Sequence, residues 1–197
     1  MVNTAIVLAG GESLRMGRDK AFIEFKGKSL IQRTLDTLKP LFKERFIIAK
    51  TREPYLSFEI PVFTDRYPNG GPLGGIYTGL FYSKGPVFAA ACDMPFLNPK
   101  VIQFLTEKLK GFDAVVLKTP DGLHPLHGVY SKGVLSRMET RLQTGEVKMM
   151  DFLGRIRTLE IGADEIKPLD PNLLSLVNVN TPEELNRFLE MGQHDIG

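Results

Sequence analysis

The sequence predicts an α/β fold of three layers, a mainly parallel twisted sheet with helices on both faces. Three observations predict it. Short β-rich apolar runs alternate with helical patterns along most of the 197 residues, the pattern of strand–helix–strand units. The run Val87–Ala91 is apolar at every position, as suits a strand buried on both faces. Glycines cluster after two of the strand-like runs, at Gly10-Gly11 and at Gly70–Gly75, and folds of this kind bind ligands outside the carboxyl ends of their strands.

The elements follow in order. Thr4–Leu8 is the first strand. Ser29 caps a helix running to about Lys39, with Ile31, Leu35 and Leu38 at helical spacing and Pro40 limiting it. Arg45–Ala49 and Pro61–Thr64 are strands, and Ile76–Ser83 is a helix entered from the Gly70–Gly75 loop. After the strand Val87–Ala91, Asn98-Pro99 starts a helix, Asn as N-cap and Pro at the first position. Asp113–Lys118 and Leu126–Tyr130 are strands joined by a polar loop. Helices are expected over Val134–Gln143 and Val147–Leu153, and late strands over Arg157–Ile161 and Leu176–Val179. Thr181-Pro182-Glu183-Glu184 is a capping box that opens a final helix.

Composition excludes several function classes. Hydrophobic residues are 43% and charged residues 24%, ordinary for one globular domain spanning 1–197. With 25 Lys+Arg against 23 Asp+Glu, the net charge of +2 gives no field for gripping nucleic acid. Cys92 is the only cysteine, so no intramolecular disulfide exists. No apolar run is long enough to span a membrane. The start Met1-Val2-Asn3-Thr4 lacks a charged, cleavable leader, so a cytoplasmic protein is expected.

The chemistry-bearing residues follow three strands: Ala9–Lys20, Asp65 and Asp93. If the fold is right, they meet in one crevice. Paired glycines let backbone N–H groups approach phosphate oxygens. Arg15 and Lys20 add charge to such a cradle, and Arg18 stands between them. The spacing is neither a P-loop nor a dinucleotide fingerprint, which disfavours dinucleotide oxidoreduction. Asp93 stands just past a buried strand, in Ala91-Cys92-Asp93-Met94-Pro95. Read alone it is a turn aspartate. Beside a triphosphate loop it is a magnesium ligand, since Mg²⁺ binds one or two carboxylates together with substrate phosphates. Cys92 reads as a small strand residue. Asp65 is either a loop-initiating aspartate or an acceptor for a ribose hydroxyl or a base. The stretch Tyr67–Gly75 leads a helix N-terminus toward an anion or a base edge.

The string Leu8-Ala9-Gly10-Gly11-Glu12-Ser13-Leu14-Arg15-Met16-Gly17-Arg18-Asp19-Lys20 resembles the signature loop of nucleotidyltransferases that move a nucleoside monophosphate from an NTP to a phosphate acceptor. Within that superfamily it is most similar to the molybdenum cofactor guanylyltransferases, whose relatives using cytidine or uridine nucleotides tend to carry alanine where Gly10 stands. The resemblance implies a Rossmann-like nucleotidyltransferase fold. It implies GTP as donor and Mg²⁺ held by Asp93. Molybdopterin or molybdenum cofactor is the implied acceptor, with molybdoenzyme-maturation proteins as further candidate partners. It assigns catalysis to Arg15, Lys20 and Asp93. Nucleotide binding falls to Leu8, Ala9, Gly10, Gly11, Lys20, Asp65, Gly71, Pro72, Leu73, Gly75 and Asp93. Leu123-His124-Pro125-Leu126 and Val177–Pro182 look like the pterin side, with Asn178 and Asn180 as its polar contacts and Lys148 as a candidate for the acceptor phosphate. The nucleotide part is then about 1–97 and the acceptor part about 98–197. Some relatives place a nucleotide-contacting asparagine where this chain reads Ile48-Ala49-Lys50-Thr51, which leaves Lys50 or Thr51 in its place. The alternatives are a related enzyme using CTP or UTP with another acceptor, and a non-catalytic GTP-binding module.

Overall fold

A computed structural model describes residues 1–9, 20–25, 27–181 and 183–184. Gly10, Gly11, Arg15 and Arg18, and the final helix beyond its first turn, lie outside the described residues.

One seven-stranded sheet dominates, in the order β5-β4-β1-β6-β8-β7-β9. Its strands are β1 (Thr4–Leu8), β4 (Glu44–Ala49), β5 (Val62–Thr64), β6 (Val87–Ala91), β7 (Ala114–Thr119), β8 (Gly122–Tyr130) and β9 (Thr158–Gly162). β8 runs antiparallel to β6 and β7, and the other pairings are parallel. A small hairpin, β2 (Glu24–Phe25) with β3 (Lys28–Ser29), precedes the first helix.

Side-chain alternation along the strands builds two cores, because successive residues point to opposite faces. Ala5, Val7, Ile47, Phe88, Ala90, Val115 and Leu117 pack with α1 (Leu30–Leu38), α3 (Pro99–Glu107) and α6 (Ala163–Ile166). Ile6, Phe46, Ile48, Ala89, Ala114 and Val116 pack with α2 (Gly71–Tyr82), α4 (Leu135–Gln143) and α5 (Met149–Leu153). β1 and β6 are almost wholly buried, as strands covered on both sides must be.

The caps follow local chemistry. Ser29 Oγ accepts from the Gln32 N–H at 3.3 Å, and Asn98 Oδ1 accepts from the Lys100 N–H at 2.9 Å with Pro99 in the first turn. Thr181 Oγ1 accepts from the Glu184 N–H at 3.2 Å. The reciprocal bond differs from the expected box, because the Glu184 carboxylate accepts from the Asn180 N–H, 2.7 Å away, one residue further back.

Three expectations need correction. The helix expected at Ile76 starts at Gly71, so most of the glycine stretch is itself helical. Tertiary packing overrides the poor helix propensity of glycine there: a Cβ on Gly75 would stand 2.6 Å from Leu8 Cδ2, and one on Gly79 2.5 Å from Ile6 Cδ1. Those glycines let α2 lie close against β1. The polar loop expected before Leu126 is instead paired strand: β8 begins at Gly122, whose φ of 127° closes a tight turn. Leu176–Val179 is not a strand of the sheet. It leaves a 3-10 turn at Leu174–Leu176, and Val177 and Val179 pack on Leu30, Ile23 and Phe96. Other elements went unforeseen, among them the hairpin β2–β3, the 3-10 helix Glu53–Phe58 and α6. No described helix is long and apolar enough to cross a membrane.

Candidate functional site

Parallel pairing aligns the carboxyl ends of β5, β4, β1 and β6. Leu8 pairs with Ile48 on one side and Ala91 on the other, and Ala49 pairs with Thr64. The ladder continues past the strands: Ala9 N donates to Ile48 O at 2.8 Å, Asp65 N to Ala49 O at 2.9 Å, and Cys92 N to Leu8 O at 3.0 Å. Ala9, Asp65 and Asp93 therefore emerge along one edge, as the sequence predicts, and Lys50 emerges beside them.

A cavity of about 630 Å³ opens at that edge, a size suited to a small-molecule ligand. Its lining includes Leu8, Ala9, Lys20, Asp65, Gly71, Pro72, Gly75, Asp93 and Asn178 of the expected residues. Pro68, Asn69, Ile48 and Leu126, which the sequence named only within longer stretches, line it too. Pro68 and Asn69 lie inside the Tyr67–Gly75 stretch, so their neighbourhood was legible. Leu126 arrives because antiparallel β8 brings its first half to this end.

Asp93 follows β6 directly. Its Oδ1 is buried with no hydrogen-bond partner among the described residues. Burial pushes its carboxyl above the ordinary range, opposed by its own backbone N–H and by the charge of Lys20. A buried carboxylate oxygen left without a partner among the described residues could help to hold a cation together with an anionic ligand. Among the described residues no cluster of three or more His, Cys, Asp or Glu could hold a metal by itself.

Asp65 is held from within. Its Oδ1 accepts from the Tyr67 N–H at 3.0 Å and from Thr78 Oγ1 at 2.9 Å. Burial pushes its carboxyl up, against those two hydrogen bonds and the charge of Lys50. One oxygen shapes the turn, as the loop-initiating reading expects, and the residue also lines the cavity. Thr78 Oγ1 also accepts from the Arg66 N–H at 3.0 Å, so α2 fixes the loop that precedes it.

α2 enters with no side-chain cap on its first-turn N–H groups. Gly71 and Pro72, which line the cavity, stand at that end. Such a terminus suits an anion or an acceptor edge. Gly71 has φ 55°, in the left-handed region that favours glycine. Leu73 does not join them. It is fully buried in the core beneath α2 and does not line the cavity, because the helix turns its side chain toward the sheet.

The residues expected on the acceptor side separate. Asn178 lines the cavity. Asn180 does not; its Oδ1 accepts from Lys20 Nζ at 2.5 Å. His124 bonds Thr119 Oγ1 at 2.9 Å, is half-buried, and is pushed toward its neutral form mainly by burial. Lys148 is the exposed N-cap of α5, away from the cavity lining. Cys92 is a buried lining residue.

Comparison with known proteins gives this geometry a context. Residues 5–159 match the MobA-like NTP transferase domain. A probable molybdenum cofactor guanylyltransferase of Aquifex aeolicus is 35% identical over 194 residues, covering 98% of this chain and 93% of that one. The molybdenum cofactor guanylyltransferase of Desulfosudis oleivorans is 36% identical over 188 residues, with 93% of each chain covered. Among solved structures, molybdopterin-guanine dinucleotide biosynthesis protein A from Archaeoglobus fulgidus superposes with a TM-score of 0.83 at 26% identity, covering 97% of this chain and 99% of that one.

Proposed function

The chain belongs to the MobA-like NTP transferase family, and from that premise we propose that it transfers GMP from GTP to the phosphate of molybdopterin or its molybdenum-loaded form, releasing pyrophosphate. The observation that carries the reading is the cavity at the strand ends. It sets Lys20 and the unpartnered Asp93 oxygen beside an uncapped helix N-terminus. The names of the relatives support guanine and the molybdenum cofactor as the two substrates.

The donor set fits Mg²⁺. Asp93 would hold it together with substrate phosphates and water, the habit of that ion. Bound there, Mg²⁺ supplies neutralisation of the triphosphate charge.

The chain's own residues do the rest. Lys20 and Arg15 hold the β- and γ-phosphates as a point charge and a fork. The Gly10-Gly11 backbone would serve the α-phosphate, and Leu8 and Ala9 line the cavity. Asp65, Gly71, Pro72 and Gly75 take the nucleoside. Asn178 offers donor and acceptor to the pterin. An oxygen of the acceptor phosphate, already anionic at neutral pH, attacks the α-phosphorus in line. The bond from that phosphorus to the β-phosphate oxygen breaks, and pyrophosphate leaves. No general base is needed, so catalysis is alignment plus charge stabilisation. Residues of about 1–97 serve the nucleotide and those of about 98–197 serve the acceptor.

Competition binding of GTP, CTP and UTP with Mg²⁺, followed by pyrophosphate release with molybdopterin, tests the reading. GTP wins and pyrophosphate appears. Preference for a pyrimidine nucleotide defeats the guanine assignment. GTP binding without pyrophosphate from any acceptor reduces the protein to a GTP-binding module.

A further inference from the structure

We propose that Asn180 is a positioning residue for Lys20: a neutral acceptor, delivered from the far end of the chain, that aims the lysine's charge into the cavity without cancelling it. The inference rests on the reading that Lys20 meets the triphosphate.

The two residues are 160 positions apart, yet Lys20 Nζ donates to Asn180 Oδ1. Both stand on the same small apolar cluster. Lys20 opens the 3-10 turn Lys20–Phe22, closed by Ile23 N donating to Lys20 O at 3.1 Å. Ile23 packs on Leu30 and Val179, together with Phe96 and Val177. Val179 is fully buried there, and its N–H donates to Asp93 O at 2.9 Å. On its other side the Asn180 N–H is held by the Glu184 carboxylate at 2.7 Å, inside the capping box. Asn180 is thus pinned from both sides while its side chain is exposed to meet Lys20. Because the strap carrying it also bonds the Asp93 backbone, one segment fixes the two groups that flank the cavity.

The residue type matters. A lysine ammonium has three donors and no acceptor, so one donor on Asn180 leaves others for phosphate oxygens. A long, flexible lysine loses rotamer freedom when it binds, and a fixed acceptor removes part of that cost in advance. An amide carries no charge, so the full positive charge still faces the cavity. A carboxylate in the same place would neutralise it.

A double-mutant cycle read by GTP binding in the presence of Mg²⁺, with no acceptor present, tests this. Asn180→Ala is expected to weaken GTP binding about three- to tenfold, the size of one net hydrogen bond. In a Lys20→Met background the same change has no further effect. Asn180→Asp, nearly isosteric, weakens binding more than Asn180→Ala, which a merely structural role would not produce. Thermal melting checks that each variant folds, and Asn180→Asp keeps the test open if the alanine variant does not. Unchanged GTP affinity in both Asn180 variants overturns the proposal. So do effects of Asn180→Ala and Lys20→Met that simply multiply, because Asn180 then acts independently of Lys20. Absence of nucleotide binding by the unaltered protein contradicts the functional reading itself, which keeps the two failures apart.

Discussion

At the scale of single residues, the proposed reaction rests most heavily on Asp93, and that residue carries a cost. Burial raises its carboxyl in the folded chain. A carboxyl whose folded value exceeds its unfolded value favours the fold while protonated, and that contribution is lost as pH rises through the folded value. At neutral pH the ionised group therefore burdens the fold until a cation meets it. Two outcomes follow for Asp93→Asn. Turnover falls on the order of 10²–10³-fold, as for loss of one preorganised electrostatic contact. Without nucleotide, the variant melts above the unaltered protein at pH 7, and the gap closes toward the carboxylate range near about pH 4. Melting curves against pH check the sign; a variant that melts lower shows that the carboxylate is already paired. Lys20→Ala carries no such relief. It is expected to lose a similar factor in turnover and to weaken GTP binding, measured by titration.

At the scale of elements, the close approach of α2 to β1 depends on bare backbone. A Cβ on Gly74 would stand 2.6 Å from the carbonyl oxygen of Tyr67. That neighbour is backbone and cannot swing aside. Gly74→Ala is expected to cost about 1–3 kcal/mol and to weaken GTP binding, because the displaced loop also carries Asp65; chemical denaturation and titration measure the two effects. Asp113 ties other elements together. Its carboxylate accepts from the Arg157 backbone N–H at 3.0 Å and pairs with Arg137 at 3.1 Å, joining the start of β7 to β9 and α4. Burial alone would raise it, but the bonds from Arg157 and Arg137 outweigh burial and hold it below its usual range. A depressed carboxyl stabilises above its unfolded value and loses that contribution as pH falls through its folded value. Asp113→Asn is therefore expected to flatten the acid limb of the stability curve below about pH 4, read by melting temperature against pH.

These elements also show what sequence can carry. Ser29 and Asn98-Pro99 were legible because a cap is decided by adjacent residues. The body of α2 was legible too, but its first turn was not, because Gly71–Gly75 signals a loop locally and becomes helix only against Leu8 and Ile6, far away in the chain. Val177 and Val179 read as a strand by residue type. They form a strap because they pack instead on Leu30 and Phe96. In the cavity, Asp65 and Asp93 were legible as carboxylates ending strands. The burial of Leu73 and the bond between Asn180 and Lys20 depend on how the backbone turns in three dimensions.

At the scale of the whole molecule, the fold is a device for bringing distant segments to one edge. Two apolar layers bury the sheet, and parallel β5, β4, β1 and β6 deliver their ends side by side. Antiparallel β8 and the strap before Thr181 then close the crevice from the later part of the chain, at Leu126 and Asn178. The family match spans 5–159, so it stops short of the strap. A crystal structure of the protein soaked with GTP and Mg²⁺ tests the central claim most directly. The account predicts the β- and γ-phosphates against Lys20, with the metal between them and Asp93. A triphosphate seated elsewhere, or one whose metal makes no contact with Asp93, would contradict it.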